Sequence, residues 1–216
     1  MDKLLNQIMT ELQNDPYFSN FKIRKRDASL YRTIDGGKEY IELQHRREYG
    51  FLDLFPIYSV RFDKLSKWFE KFSFKSLQDQ RDGSSISFCG EMLSQQDRFE
   101  FRLDGYNYQA DFNNLNSVLK SCSKYVFETY STMQKLYDRT IIPVLNGTKE
   151  LPSNGADWIA IDLALCKIVA PERLEDLKKI IFERAAWMHS RNEPNIGYYY
   201  DRLDEIYDYL LSIDLT

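Results

Sequence analysis

The sequence predicts an α+β fold, in which an antiparallel sheet is followed by a group of helices. Apolar residues alternate along most of the chain before Phe112 and recur every three or four positions after it. Alternation is typical of strands, and the wider spacing is typical of helices. Strand patterns grouped before helix patterns favour α+β over a doubly wound sheet. We therefore predict a single two-layer domain over residues 1–216, with mainly strands in 1–112 and helices in 113–216.

The chain opens with one helix and then a series of strands. An apolar stripe with helical spacing comprises Leu4, Leu5, Ile8, Met9 and Leu12. Asn14-Asp15-Pro16 ends this helix, and residues 21–47 read as strands joined by tight turns, one of them at Asp35-Gly36-Gly37. A long alternating strand follows over residues 52–62, where Pro56 predicts an edge position or a bulge because proline donates no backbone hydrogen bond.

One helix is predicted inside the strand region, at residues 62–72, from the spacing of Leu65, Trp68, Phe69 and Phe72. Two short strands come next, around Ile86 and in 99–103. Asp104-Gly105 predicts a hairpin turn whose second strand is 106–112.

The C-terminal region predicts about four helices. The first is a continuous helix over residues 115–137, and the second, 158–169, is apolar nearly all round, which is typical of a buried helix. Pro171-Glu172 begins the third, because proline and acidic residues suit a helix start. The last helix aligns Tyr199, Leu203, Ile206 and Leu210.

Composition limits the classes of function. The chain has 216 residues, 43% apolar and 15% aromatic, and a net charge of −4. No strongly basic region exists, so a nucleic-acid partner is not expected. Three widely spaced cysteines suit a reducing compartment, and the first residues lack a signal-peptide pattern, so we expect a cytoplasmic protein. No stretch is apolar enough to cross a membrane, which predicts no membrane association.

No catalytic, metal or cofactor motif is found. Phosphate-binding glycine loops, a nucleophile elbow, paired cysteines and metal-binding histidine motifs are all missing. We therefore predict no cofactor, no metal site and no enzyme activity.

Three neighbouring residues, His45, Arg46 and Arg47, form the first candidate ligand-binding group. A histidine can act as a general base if the fold supplies a nucleophile or a second acid. The two arginines could bind a phosphate or a carboxylate. The structural alternative is a packed histidine at the end of a solvated strand, beside Glu48.

Asp162 is the second candidate, because it interrupts the apolar helix at 158–169. A buried carboxylate must be paired or have a raised pKa, and perturbed carboxylates occur at functional sites. In the structural alternative, which we favour, Asp162 lies on a polar stripe or pairs with an arginine.

Two charged surfaces are also predicted. Lys22, Arg24 and Arg26, with Arg32, Tyr31 and Tyr40 near them, could form a basic sheet face that stacks single-stranded nucleic acid, although edge-strand cations also prevent aggregation. The last helix carries an acidic face made of Asp201, Asp204, Glu205 and Asp208. A solvated face is the default interpretation of such a charge run.

The first ~110 residues, a length typical of one domain, resemble an uncharacterised bacterial family. The resemblance lies in four segments: Phe21 to Arg26, Leu30-Tyr31-Arg32, Ile41 to Gln44 and Phe51 to Leu54. The family usually has glycine before the phenylalanine, where this chain has Asn20. Some relatives of this kind are similar to immunity proteins, which bind and neutralise toxins of neighbouring bacteria. The resemblance implies a protein partner and supplies no catalytic residue.

The sequence therefore predicts a protein-binding module whose many tyrosines suit an interface, and the resemblance implies the inhibitor or immunity type. The first alternative is an enzyme with an unfamiliar site that uses Asp162, His45 or the two arginines. The second alternative is a weak nucleic-acid binder that uses the basic sheet face.

Overall fold

The computed structural model describes residues 3–76, 79–80, 83–93, 96–149, 158–192 and 196–215. These residues contain an antiparallel sheet of six strands together with N-terminal and C-terminal helices, so the predicted α+β class is confirmed. The strands are β1 (Lys22–Arg24), β2 (Ser29–Ile34), β3 (Gly37–Glu48), β4 (Phe51–Phe62), β5 (Ile86–Cys89) and β6 (Phe99–Arg102). The α-helices are α1 (Lys3–Asn14), α2 (Lys64–Lys67), α3 (Tyr108–Thr129), α4 (Met133–Leu145), α5 (Trp158–Val169), α6 (Leu174–Ser190), α7 (Ile196–Tyr200) and α8 (Leu203–Ser212).

The long strand β4 has different neighbours along its length. The sheet order is β1-β2-β3-β4-β5, and β6 also pairs with β4. Residues Phe51 to Leu54 pair with β6, and residues Ile57 to Val60 pair with β5. Pro56 lies between these two paired segments, outside the residues that pair with β5 or β6. The predicted edge position is wrong, because β4 lies between β3 on one side and β5 and β6 on the other.

The chain divides into two compact units. Unit 1 comprises residues 1–61 and 86–129, and unit 2 comprises residues 62–85 and 130–216. The single two-layer domain stays a prediction.

In unit 1, helices pack on one face of the sheet. Helix α3 contacts β3 and β6, and α1 contacts β1. Alternate strand residues point into this core, among them Leu30, Ile41, Leu52 and Val60, each fully buried. Asp15 joins the end of α1 to α3, since its carboxylate accepts hydrogen bonds from Asn116 Nδ2 at 2.8 Å and Lys120 Nζ at 2.6 Å.

In unit 2, α5 is the central helix. It contacts α2, α4 and α6, which explains why its sequence is apolar nearly all round. The predicted helix inserted between β4 and β5 is present as α2, but it spans only residues 64–67. Hydrogen-bonded turns continue from it to Phe72 and still bury Trp68, Phe69 and Phe72.

Several details of the predicted secondary structure are wrong. The single last helix expected from Tyr199 to Leu210 is two helices, α7 and α8, with a turn at residues 201–202 between them. The strand expected at 106–112 is the beginning of α3, where Tyr108 and Phe112 stack one helical turn apart with ring centroids 6.1 Å from each other. Tyr106 and Ala110, which completed the alternating pattern, are exposed. The continuous helix expected at 115–137 is two helices. It stops at Thr129, and Thr132 begins α4 as an N-cap that accepts a hydrogen bond from the Lys135 backbone at 3.2 Å.

The buried hydroxyl of Tyr58 gives a first testable prediction. Tyr58 is fully buried, and its hydroxyl has no hydrogen-bond partner in good geometry among the described residues. Burial, followed by the nearby Cys122 thiol, raises the pKa of Tyr58. Removing an unsatisfied buried polar group is favourable, so Tyr58→Phe is expected to raise the free energy of unfolding by about 1 kcal/mol in urea denaturation.

Tyr17→Phe is the matched control in the same unit. The Tyr17 hydroxyl lies 3.0 Å from Ser123 Oγ, so the same change removes a formed hydrogen bond and is expected to lower stability. Equal losses in the two variants would contradict the prediction.

Candidate functional site

The turn between β3 and β4 displays a tyrosine to solvent. Only Tyr49 and Gly50 separate the two strands, with φ angles of 46° and 87°. Two central residues with positive φ characterise a type I′ hairpin, which favours Asn-Gly. The Tyr49 side chain is 91% exposed and makes no hydrogen bond or ring contact with any described residue. A tyrosine in this position therefore has an unfavourable backbone conformation without a packing contact in return.

A second turn, at residues 103–107, lies beside the first. The backbone N–H of Leu103 donates to the Gly50 carbonyl at 3.0 Å, which brings the end of β6 to the Tyr49 turn. Leu103 is 43% exposed and Tyr106 is 64% exposed. We call the group Tyr49, Arg102, Leu103 and Tyr106 the aromatic end of the sheet.

Hydrogen bonds hold the second turn in shape. Arg102 Nη2 and Nε donate to the two Asp104 carboxylate oxygens at 2.6 and 3.2 Å, and the Tyr106 backbone N–H donates to Asp104 at 3.0 Å. The Arg102 guanidinium also lies 5.3 Å from the Tyr106 ring centroid. The hydrogen bond from Arg102, and then that from Tyr106, lower the pKa of Asp104 below its usual range. The aromatic end thus combines exposed rings with a preorganised arginine.

Next to the aromatic end, a buried carboxylate gathers two arginines. Asp53 on β4 is fully buried and accepts hydrogen bonds from Arg46 Nε at 3.0 Å and Arg98 Nη2 at 3.1 Å. Glu48 lies 3.5 Å from Arg46, and Glu100 lies 2.6 Å from Arg98. The hydrogen bond to Asp53 is the main cause that raises the pKa of Arg46. Asp53 and Glu48 already pair with Arg46. The cluster is therefore an internal ion-pair network.

The structure places the three residues of the first predicted group separately. All three are exposed near the end of β3. His45 Nδ1 lies 3.3 Å from the Leu43 carbonyl, so the ring contacts its own strand. Arg46 and Arg47 are adjacent on a strand and therefore point to opposite faces of the sheet. Arg46 Nε donates to Asp53, so His45 and Arg46 have different partners.

Asp162 lies in unit 2, on α5, and is only 8% exposed. Among the described residues no arginine pairs with it and no group donates a hydrogen bond to it. Burial raises its pKa to about 7, and the positive charge of Lys149 opposes this shift. Cys166 follows one turn later on the same helix, where burial, followed by the charge of Glu172, raises the pKa of its thiol to about 11. The Asp162 carboxyl group, with a pKa near 7, suits acid–base chemistry. The Cys166 thiol donates to the Ala170 carbonyl at 3.6 Å, so its hydrogen is already engaged by the backbone.

The basic residues of the N-terminal strands do not share one face. Lys22 and Arg24 lie on β1, where the Arg24 guanidinium is 4.8 Å from the Tyr31 ring centroid, and Tyr31 stacks on Tyr40. Arg26 lies beyond the strand in a 3-10 turn. Arg32 pairs with Glu39 on the opposite face and lies over Phe21.

The acidic residues of α8 and the turn before it are exposed, as expected of a solvated face. Glu205 accepts a hydrogen bond from Arg202 Nε at 2.9 Å, and Asp204 lies 3.8 Å from Lys178 Nζ. Within the described residues, no group of three or more acidic, histidine or cysteine side chains is arranged to hold a metal ion. None of the described helices is long and apolar enough to cross a membrane.

Sequence reasoning missed the aromatic end. Its signal was present, since Tyr49-Gly50 separates two alternating runs by two residues, the usual length of a tight hairpin loop. The proximity of Leu103 to Gly50 depends on the pairing of β6 with β4, which no local pattern contains.

Comparison with known proteins adds no relative. No family model matches this chain. No curated protein and no solved structure matches it either.

Proposed function

We propose that this protein is a protein-binding module that contacts its partner through the aromatic end of the sheet. Tyrosine and arginine are enriched among the residues that dominate binding energy, because they combine a large apolar area with directed hydrogen bonds. The aromatic end offers two exposed tyrosines, one arginine fixed by Asp104, and Leu103. The Asp53 network supports β4 and β6 beside it.

Tyr49 is the observation that carries the proposal. A tyrosine at positive φ costs the fold about 1 kcal/mol relative to a residue suited to that conformation. Its side chain is almost fully exposed, so no internal packing offsets this cost. A binding role for the ring accounts for a residue that the fold itself disfavours.

The finer proposal is an inhibitor or immunity-type role in the cytoplasm. It is supported by the resemblance of the first ~110 residues, a domain-sized segment, to a family with immunity-like relatives. In this role the partner is a toxin encoded beside the gene for this chain, and the aromatic end contacts that toxin.

Tyr49→Asn tests the proposal, because it is expected to separate binding from folding. Asn-Gly suits a type I′ turn, so the variant is expected to gain about 0.5 to 1 kcal/mol of stability. Loss of an interface tyrosine is expected to weaken binding by about 2 kcal/mol, or about 30-fold in Kd. The measurement is co-purification with the products of adjacent genes, followed by calorimetric titration and thermal unfolding of each variant.

Tyr125→Ala is the control for this experiment. Tyr125 is 58% exposed on α3 in the same unit and lies outside the aromatic end. We expect this variant to keep full affinity, and Tyr106→Ala to lose affinity as Tyr49→Asn does. The proposal is overturned if no adjacent gene product binds, or if Tyr125→Ala and Tyr49→Asn weaken binding equally.

A further inference from the structure

Helix α6 in unit 2 carries an exposed tryptophan between two arginines. Trp187 is 42% exposed, whereas Trp68 and Trp158 are each 7% exposed. The Arg184 guanidinium carbon lies 4.2 Å from the Trp187 ring centroid, and that of Arg191 lies 4.4 Å from it. The arginines lie three residues before and four residues after the tryptophan, a spacing that places side chains on one helix face.

The two guanidinium groups have no carboxylate partner in the part of the chain that the structure describes. Within residues 3–76, 79–80, 83–93, 96–149, 158–192 and 196–215, no acidic side chain forms an ion pair with Arg184 or Arg191. The Nε atom of Arg184 is buried and has no hydrogen-bond acceptor among the described residues. Arg173 and Arg202 of unit 2 differ in this respect, since Arg173 pairs with Asp176 and Arg202 pairs with Glu205. Two like charges against one ring, with donor capacity left over, make a site that an anion would complete.

We propose that Arg184, Trp187 and Arg191 form a docking site for an acidic segment of a partner protein. The planar guanidinium groups donate to carboxylates in pairs, and the exposed indole contacts the apolar parts of the segment. A protein segment is favoured over nucleic acid because the charge of the site is small: two arginines face the ring, and the exposed Glu183 lies beside Arg184. A protein segment can place its few carboxylates at the arginines alone, whereas a phosphate backbone carries a charge at every nucleotide and would extend over the acids of a chain with a net charge of −4.

This docking site is not part of the proposed function. It lies in unit 2, whereas the aromatic end lies in unit 1, so either proposal can be overturned without the other. The probe is an eight-residue synthetic peptide of serines in which two glutamates flank a leucine (the glutamate peptide), and the comparisons are the same peptide with lysines in place of the glutamates and an oligothymidylate of equal length. Because Trp187 is the exposed tryptophan among the three, its indole NMR signal reports binding, and Trp187→Phe identifies that signal. We expect the glutamate peptide to shift this signal and to bind less tightly as the salt concentration rises.

Arg184→Gln and Arg191→Gln are each expected to weaken peptide binding by about tenfold, the size of a lost charge-assisted hydrogen bond. Lys179→Gln is the matched control, because it removes the same charge from an exposed position on α6. We expect that control and Tyr49→Asn to bind the peptide as the wild type does.

Four outcomes would overturn the inference. They are no shift of the Trp187 signal with the glutamate peptide, equal weakening by Lys179→Gln, tighter binding of oligothymidylate, and salt-sensitive self-association that Trp187→Ala removes. The third would indicate a nucleic-acid site, and the fourth a contact between copies of this chain. Failure to find a toxin-type partner in the Tyr49→Asn experiment would leave this inference unchanged.

Discussion

Asp162→Asn is expected to remove most of the pH dependence of unit 2 stability between pH 4 and pH 8. The carboxyl group is buried on α5, and burial raises its pKa to about 7 against the opposing charge of Lys149. In the unfolded chain the pKa of an aspartate is about 3.9.

The sign of the effect follows from proton binding. Below the unfolded pKa both states carry the proton, and the carboxyl group adds no penalty. As the pH rises toward 7 the unfolded chain releases its proton while the folded chain keeps it, so the free energy of unfolding falls. Above the folded pKa the loss is complete and amounts to about 4 kcal/mol at most, from three pKa units at about 1.4 kcal/mol each.

The asparagine variant keeps the shape of the side chain and cannot ionise. We expect it to be about 2 to 3 kcal/mol more stable than the wild type at pH 8 and about 1 to 2 kcal/mol less stable than it at pH 4, because an unpaired buried amide costs more than a protonated carboxyl group at every pH. Urea denaturation at pH 4, 5, 6, 7 and 8 measures both curves. Asp201→Asn, at an exposed position of the same unit, is expected to follow the wild type. Wild-type stability that rises between pH 5 and pH 8 would contradict the account.

Lys167→Ala is expected to lower the free energy of unfolding of unit 2 by about 2 to 3 kcal/mol. The Lys167 ammonium group on α5 donates to the carbonyls of Leu210 and Ile213, each at 2.6 Å. These carbonyls lie at the end of α8, where backbone acceptors lack intrahelical partners and the helix dipole favours a positive charge. The substitution therefore removes a charged cap and leaves the carbonyls without their donor.

Hydrogen exchange localises this effect. Amides of residues 203–213 are expected to exchange faster in Lys167→Ala, while those of α6 change less. Lys179→Ala removes an exposed lysine from α6 and is the control, with an expected change below about 0.5 kcal/mol. A loss in Lys167→Ala no larger than that of the control would show that the Lys167 cap at the end of α8 contributes little.

The spacing of apolar residues predicted most elements correctly where that spacing fits either a helix or a strand but not both. The stripe of α1 and the alternation of β4 each match a single structure, and both are found. The segment 106–112 fits two periods at once, because Tyr108 and Phe112 are both two and four positions from other apolar residues. The helix prevails since Tyr106 and Ala110 have no apolar surface to cover.

Sites that depend on pairing between distant strands were beyond local patterns. Asp53 meets Arg98 because β6 pairs with β4 across 45 positions of sequence, and nothing near either residue records that register. Asp162 is the opposite case, since the apolar residues around it predicted burial without the structure. The sequence did not predict whether the Asp162 carboxylate would have a hydrogen-bond or ion-pair partner.

The division of the chain into units has a consequence for synthesis on the ribosome. Unit 1 can close once residue 129 has emerged, because both of its segments are then available. The segment 62–85 emerges much earlier than α5, the helix that α2 packs against. Leu65, Trp68, Phe69 and Phe72 are therefore exposed to solvent until roughly a hundred more residues have been made, a time of about 5 to 20 seconds at the usual rates of translation. Once residue 129 has emerged, residues 62–85 are an apolar segment inserted into the sequence of unit 1, which is otherwise complete. Chaperones bind exposed apolar segments of this kind.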